Sequence, residues 1–342
     1  MGRAVSIISI PVLVAPVLGP VIGGLLIQHL SWRWIFLFNT PLGLIGAWLA
    51  NRRLPHGETE TAARTRLDLV GLALLSPGIA LFTLSVAALG RAHGALTPHV
   101  YVPLILSTGL ITMFVLDARR RPLTALLNLG LFRHRAVSAS LVTYLFASFG
   151  SFGAQLILPL YYQQVRGQSP LHAGMLLAPQ GIGMLLTLPQ VGRLADRINP
   201  GKVVLLGVLT TLMGTYAFTQ VTDKSSYVLL SISLVIRGAG LGATSTPALA
   251  SAYRHLSRDE IPNATTAINV VQRLGAPIGT ATMAVTLQRF ISIHADHSPT
   301  ALASAFAHTF TVSAALSALS LIAAFALIRA TTTKGSDSQR SQ

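Results

Sequence analysis

The chain has no cysteine among its 342 residues, which excludes disulfide staples, cysteine-ligated metals and thiol redox chemistry. Charge is also scarce. Asp, Glu, Lys and Arg together make up 10% of the sequence, and only ten of these residues are acidic. Soluble domains carry about a quarter charged residues, so an ordinary water-facing surface is excluded. The carboxylates (Glu58, Glu60, Asp68, Asp117, Asp196, Asp223, Asp259, Glu260, Asp296 and Asp337) all lie in loops or at the ends of apolar runs. None sits deep in an apolar stretch where it would titrate out of contact with water. A glycine-rich phosphate loop ending in Lys-Ser or Lys-Thr is missing too, so ATP-driven pumping by this chain is not expected. No nucleophile–base arrangement stands out, so no catalytic residue is assigned.

What is abundant is apolar sequence. Hydrophobic residues make up 51% of the chain and the mean hydropathy is +0.61. Runs near the ~20 residues that cross a bilayer recur ten times, at about 6–29, 32–50, 69–89, 100–117, 136–160, 171–191, 202–221, 226–250, 264–290 and 305–328. The expected fold class is all-α: a polytopic membrane bundle of about ten transmembrane helices. With ten spans, neither a myristoyl anchor on Gly2 nor a cleaved signal peptide is expected.

The net charge of +15 reports orientation rather than a nucleic-acid partner. With the N-terminus in the cytoplasm, the inner loops hold eighteen of the 25 basic residues, including Arg52, Arg53, Arg64, Arg66, Arg119, Arg120, Arg121, Arg133 and Arg135. The outer loops hold four: Arg33, Arg91, Arg166 and Lys224. That asymmetry follows the positive-inside rule and places both termini in the cytoplasm of a cell membrane. Trp32, Trp34, Tyr101, Tyr161, Tyr162 and Tyr227 fall at outer helix ends, where amphipathic rings favour the interface.

Several residues stand out within the spans. Gly19 and Gly23 make a small-xxx-small face on the first helix, with Pro20 between them to bend it and Gly24 adjoining. The ninth helix repeats the pattern as Gly275-Ala276-Pro277-Ile278-Gly279, and both helices run outward. Same-direction repeats mark transporters built from two parallel halves. On the fifth helix Tyr144, Ser148, Ser151 and Gln155 share one face, suited either to a water-filled cavity or to hydrogen bonding between packed helices. Arg237 lies mid-span on the eighth helix, where a charge is costly and marks a functional candidate. Arg273, nearer a helix end, suits snorkelling as well. Asp196 ends a helix close to the start of the next, where the helix dipole favours a carboxylate. His294, Asp296, His297 and His308 have no fixed mutual geometry, and no metal site or cofactor is expected.

Taken together, these segments resemble the major facilitator superfamily, in its 14-helix drug:proton antiporter branch. Gly19-Pro20-Val21-Ile22-Gly23-Gly24 resembles the antiporter motif of that branch's fifth helix, and Ser31-Trp32-Arg33-Trp34 through Gly43 is similar to the junction that follows it. Gly192-Arg193-Leu194-Ala195-Asp196-Arg197 resembles the cytoplasmic motif between the second and third helices of a half. Arg237-Gly238-Ala239-Gly240-Leu241-Gly242 resembles the Arg/Gly motif of a fourth helix. The resemblance covers about residues 2–330, with departures: Ala15 stands where the antiporter motif begins with glycine, and Ile198-Asn199-Pro200 follows Arg197 where the loop motif continues with glycine and a basic pair.

The resemblance implies a partial major-facilitator fold that lacks the branch's first four helices. Residues 1–51 correspond to a remnant of the N-terminal half, 52–121 to a linker and two-helix insert, and 122–342 to the six-helix C-terminal half. It implies secondary efflux of small lipophilic or cationic drugs against protons, by alternating access. Substrate contacts fall to Tyr144, Ser148, Ser151, Gln155 and Arg237; gating falls to Gly192, Asp196 and Arg197. Two other readings stay open: a non-transporting fragment or subunit that needs an N-terminal partner, and a transporter of another solute. The cysteine-free chain is itself a template for testing orientation. Lys224→Cys is expected to react with a membrane-impermeant maleimide in intact cells, and Glu58→Cys only after permeabilisation; the reverse pattern would invert the topology.

Overall fold

In lipid no water is at hand to satisfy backbone N–H and C=O groups, so a spanning segment must satisfy them internally as a helix. The computed structural model describes residues 19, 21–53, 68–91, 97–121, 129–133, 135–253, 261–293 and 298–332. Among these the only regular structure is helical. After a first helix, α1 (21–29), come α2 (Arg33–Arg53), α3 (Leu69–Arg91), α4 (Pro98–Arg120) and α5 (Arg135–Leu160). The second group is α6 (Pro170–Arg197), α7 (Pro200–Thr219), α8 (Tyr227–Tyr253), α9 (Ile261–Ile293) and α10 (Pro299–Thr332). Each of the ten apolar runs thus holds one helix. Seven of the described helices are long and apolar enough to cross a bilayer.

The ends follow local chemistry. Proline opens α4, α6, α7 and α10, where its missing N–H costs nothing and its fixed φ suits a first turn. Ser169 caps α6 by accepting from the His172 N–H at 3.3 Å, and Asn199 caps α7 by accepting from the Gly201 N–H at 2.8 Å. Past Pro159, α5 widens into a π-helical turn, Tyr161–Val165. Gly167, with φ +61°, then reverses the chain into α6. The left-handed conformation there is what calls for glycine. The apolar stretch between the basic groups flanking α4 and α5 ends in a short 3₁₀ turn, Leu129–Arg133, with Leu131 buried against Phe114, Val137 and Ile268.

α8 lies between α6 and α7, while α5 packs on α9 and α10, and α10 closes against α7. α3 and α4 pair with each other through Ser107 Oγ donating to the Gly78 carbonyl at 2.8 Å and Ser85 Oγ to that of Val100 at 2.7 Å. The pair leans on α9 through α3. α2 has no extended packing with α3–α10 and leaves Phe36, Leu44 and Trp48 exposed. Two of the aromatic residues expected at the interface are not there. Tyr161 and Tyr162 sit at the end of α5 but are wholly buried, packed with Phe218, Phe306 and Phe310. The π turn carries both rings into the bundle, and the Tyr161 hydroxyl donates to the Thr222 carbonyl at 2.7 Å.

Without a hydrophobic force between helices in lipid, cohesion comes from close approach and interhelical hydrogen bonds. The Arg237–Gly242 run shows how. A Cβ on Gly238 would strike the Gln180 carbonyl of α6, whereas one on Gly240 would strike Thr211 of α7. From the facing helices, Gly183 abuts the Val235 carbonyl and Gly214 abuts the Arg237 backbone. Glycines on alternate sides of α8 thus let it touch two neighbours at backbone distance. On α9, Gly275 and Gly279 do the same against the Leu145 and Phe149 carbonyls of α5. Gly238→Ala is expected to destabilise the folded chain by about 1–3 kcal/mol through overpacking. Gly109→Ala, where nothing lies within 4 Å, should be neutral or slightly stabilising. Thermal unfolding of the purified chain in detergent checks both.

Candidate functional site

A cavity of about 390 Å³ opens where α1, α5 and the start of α6 converge. α1 supplies Gly23, Gly24 and Ile27. α5 and its π turn supply Gln155, Leu158, Pro159 and Gln163, and α6 supplies Pro170, Ala173, Gly174, Leu177 and Gln180. The wall is apolar, with three glutamine amides and no charged side chain on it.

Behind Gln180 lies Arg237. The residue is only 3% exposed, and its Nη1 donates to the Gln180 Oε1. No carboxylate pairs with it among the described residues. A guanidinium has donors only, so the amide oxygen must face Arg237 and the –NH2 must face away. That –NH2 has no protein partner among the described residues, and neither do the amides of Gln155 and Gln163. Proximity of α6 to α8 creates the contact: Gly238, next to Arg237, brings the α8 backbone against the Gln180 carbonyl.

Of the five expected substrate contacts, Gln155 lines the cavity and Arg237 stands one residue behind it. The rest of the α5 stripe does not continue into the site. Ser148 is buried against α9, where a Cβ on Gly275 would come within 3.2 Å of its own Cβ. Tyr144 is half-buried in apolar packing with Val204 and Val208 on α7 and Ala324 on α10, and Ser151 is half-buried. A helix rotates about 100° per residue, and the cavity needs the outer part of that face, so Pro159 and Gln163 replace Tyr144 and Ser148. Gln163 and Gln180 were missed from sequence. Gln163 was findable at two i+4 steps beyond Gln155; Gln180 had no local signal. Arg273 is exposed on α9.

In the antiporter-like motif, Gly24 is buried, and a Cβ there would lie 2.6 Å from the Pro170 carbonyl of α6. Gly23 borders the cavity, while Gly19 has open space around it. Pro20 lies outside the described residues. The backbone carries Gly192, Asp196 and Arg197 in the last turns of α6, while their side chains lie outside the described residues. A polar groove of about 470 Å³ between the α7–α8 turn and α10 includes Asp223 and His308. Nearer the α5–α6 turn, Arg166 donates to the Ser225 carbonyl at 2.6 Å and sits 4.2 Å from the centre of the Tyr227 ring. Burial there opposes its charge, but the Tyr161 and Tyr227 hydroxyls outweigh that and hold its pKa above the ordinary arginine value.

The family model for the Major Facilitator Superfamily matches residues 1–280 and, in a second overlapping match, 140–341. The chain belongs to the major facilitator superfamily. Like other members it is a multi-pass membrane protein rather than an enzyme. It is 39% identical over 290 residues to the "Multidrug resistance protein B homolog" of Mycobacterium tuberculosis (strain ATCC 25618 / H37Rv), covering 84% of this chain and 53% of the relative. A Salmonella heidelberg (strain SL476) chain, provisionally designated multidrug resistance protein MdtD, is 27% identical over 93% of this chain and 67% of its own length. This superfamily member therefore spans about half the length of the mycobacterial relative. A solved structure, the nucleoside transporter NupG, overlays with a TM-score of 0.43 at 14% identity, covering 70% of this chain and 63% of that one.

Removing one partner of a buried charge strands the other, which typically costs several kcal/mol; replacing both with apolar groups is far milder. Gln180→Leu alone should therefore lower the unfolding temperature more than Arg237→Met alone, and the double variant should recover most of the loss. Additive losses in the double variant would show the pair to be uncoupled.

Proposed function

We propose that the chain is the part of a 14-helix drug:proton antiporter that runs from the fifth helix onward, and that with the preceding helices supplied it completes a transporter that exports small lipophilic compounds by secondary transport. On this reading α1 and α2 (within 1–51) belong to the first half, α3 and α4 (within 52–121) are the inserted pair, and α5–α10 (within 122–342) form the second half. Both termini face the cytoplasm of a plasma membrane. The observation that carries the reading is the cavity between α1, α5 and α6, because the antiporter-like Gly23–Gly24 segment forms one wall and apolar, uncharged faces bearing three glutamine amides form the others. The kinship with multidrug resistance proteins supports the same substrate class.

Transport by alternating access needs two halves that rock about a site between them. Gln155, Gln163 and Gln180 offer the substrate contacts, with Ser151 at the inner edge of that face. Gly192, Asp196 and Arg197, at the cytoplasmic end of α6, act as the gate. Gly24 is the pivot at which α1 rolls on α6, since it permits backbone contact with Pro170. No carboxylate lies deep in an apolar run of this sequence, so the reading assigns proton coupling to no carboxylate within its spans. A second reading, a subunit that transports only with a helical partner, is favoured by the unpacked apolar face of α2.

Expressed alone in a pump-deficient host, residues 1–342 are expected to raise drug tolerance less than two-fold. Co-expression with the N-terminal segment of the mycobacterial relative that precedes its match to this chain should restore uncoupler-sensitive efflux. Strong, uncoupler-sensitive resistance from 1–342 alone would overturn the reading.

A further inference from the structure

The geometry points to a ligand preference: the cavity between α1, α5 and α6 selects compounds that present a hydrogen-bond acceptor, neutral or anionic, and disfavours cations. This rests on the proposed reading of that cavity as the substrate site and narrows it. Gln180 is the pivotal residue. Its Oε1 is held by Arg237, and because the guanidinium offers donors only, the amide is fixed with its –NH2 turned away. The positive charge behind it polarises that –NH2 and strengthens it as a donor. The cavity therefore meets Arg237 not as an exposed charge but as a donor group aimed outward by a buried cation.

Three features make the preference directional. Arg237 is 3% exposed, and no described carboxylate pairs with it to offset its field. None of the ten carboxylates falls deep in an apolar run of the sequence, and no described carboxylate lines the cavity to hold a cation. Gln155 and Gln163 are free to turn either amide end towards a ligand, so they adapt to what Gln180 selects. A lipophilic cation in the same space would meet the repulsion of Arg237 with only neutral amide oxygens to offset it. Leu158, Leu177 and Ile27 supply the apolar contact that any of these ligands would share.

Three probes of one ring system separate charge from shape: 2-naphthalenesulfonate, 2-naphthalenesulfonamide and 2-naphthyltrimethylammonium. Their binding to the 1–342 chain in phosphatidylcholine nanodiscs, measured by equilibrium dialysis against empty discs, should place the sulfonate and the sulfonamide at least ten-fold tighter than the ammonium. Gln180→Glu would set a carboxylate against Arg237 and should erase that gap. Arg237→Met should weaken the sulfonate about ten-fold and spare the ammonium, while Arg237→Lys should retain the order. Circular dichroism and elution volume confirm that each variant is folded, and Gln180→Glu answers the question if Arg237→Met is not. Ammonium binding as tight as sulfonate would overturn the acceptor preference and leave the cavity standing as a binding site. A sulfonate preference unchanged in both Gln180→Glu and Arg237→Met would overturn it as well, by placing its origin elsewhere. If none of the three binds above empty discs, both the preference and the substrate site fall.

Discussion

Close approach of helix backbones is the constraint on which the rest of this structure depends. Lipid tails are as apolar as leucine, so helices gain little by burying leucine against one another and must touch more intimately to cohere. Gly238 and Gly240 on α8, with Gly183 and Gly214 facing them, supply that intimacy on both sides of a single helix. Gly275 and Gly279 supply it between α9 and α5. Once α8 is pressed against α6 in this way, the side chain of Arg237 has nowhere to go but into the contact. There it finds the Gln180 amide, one of the three amides on the otherwise apolar wall of the nearby cavity.

A buried guanidinium with a neutral partner is a costly arrangement. A carboxylate opposite Arg237 would relieve the cost and silence the charge; an amide leaves the field intact and transmits it. The cavity is in this sense built by what is withheld from Arg237. The same economy of charge runs through the sequence, in which no acidic residue falls deep in an apolar run, and among the described residues Arg237 has no carboxylate partner.

The helices were legible because their driving force is composition over about twenty residues, and all ten apolar runs hold a helix. The glycine pattern on the ninth helix was legible as a packing device, and Gly275 and Gly279 do meet α5. The cavity lining was only half legible. Gln155 and Arg237 stood out, one as a polar residue on a face and the other as an isolated charge. Tyr144 and Ser148 share the helical face but not the cavity, because helical spacing identifies a face and not which stretch of it meets a cavity and which meets a neighbour. Gln180 was invisible, since its importance comes from a helix 57 residues away in sequence. Tyr161 and Tyr162 were placed at the correct end of α5 yet on the wrong side, because a π turn shifts the register of the side chains that follow it. No residue pattern announced that turn.

The most direct measurement is photolabelling of the purified chain by a lipophilic diazirine that carries a carbonyl acceptor, with peptide mapping in the presence and absence of excess unreactive parent compound. Competable label on residues 155–163 of α5 and its π turn and on 170–180 of α6 is the expected result. Competable label confined to the polar groove around Asp223 and His308, or to the exposed face of α2, would contradict a binding site between α1, α5 and α6.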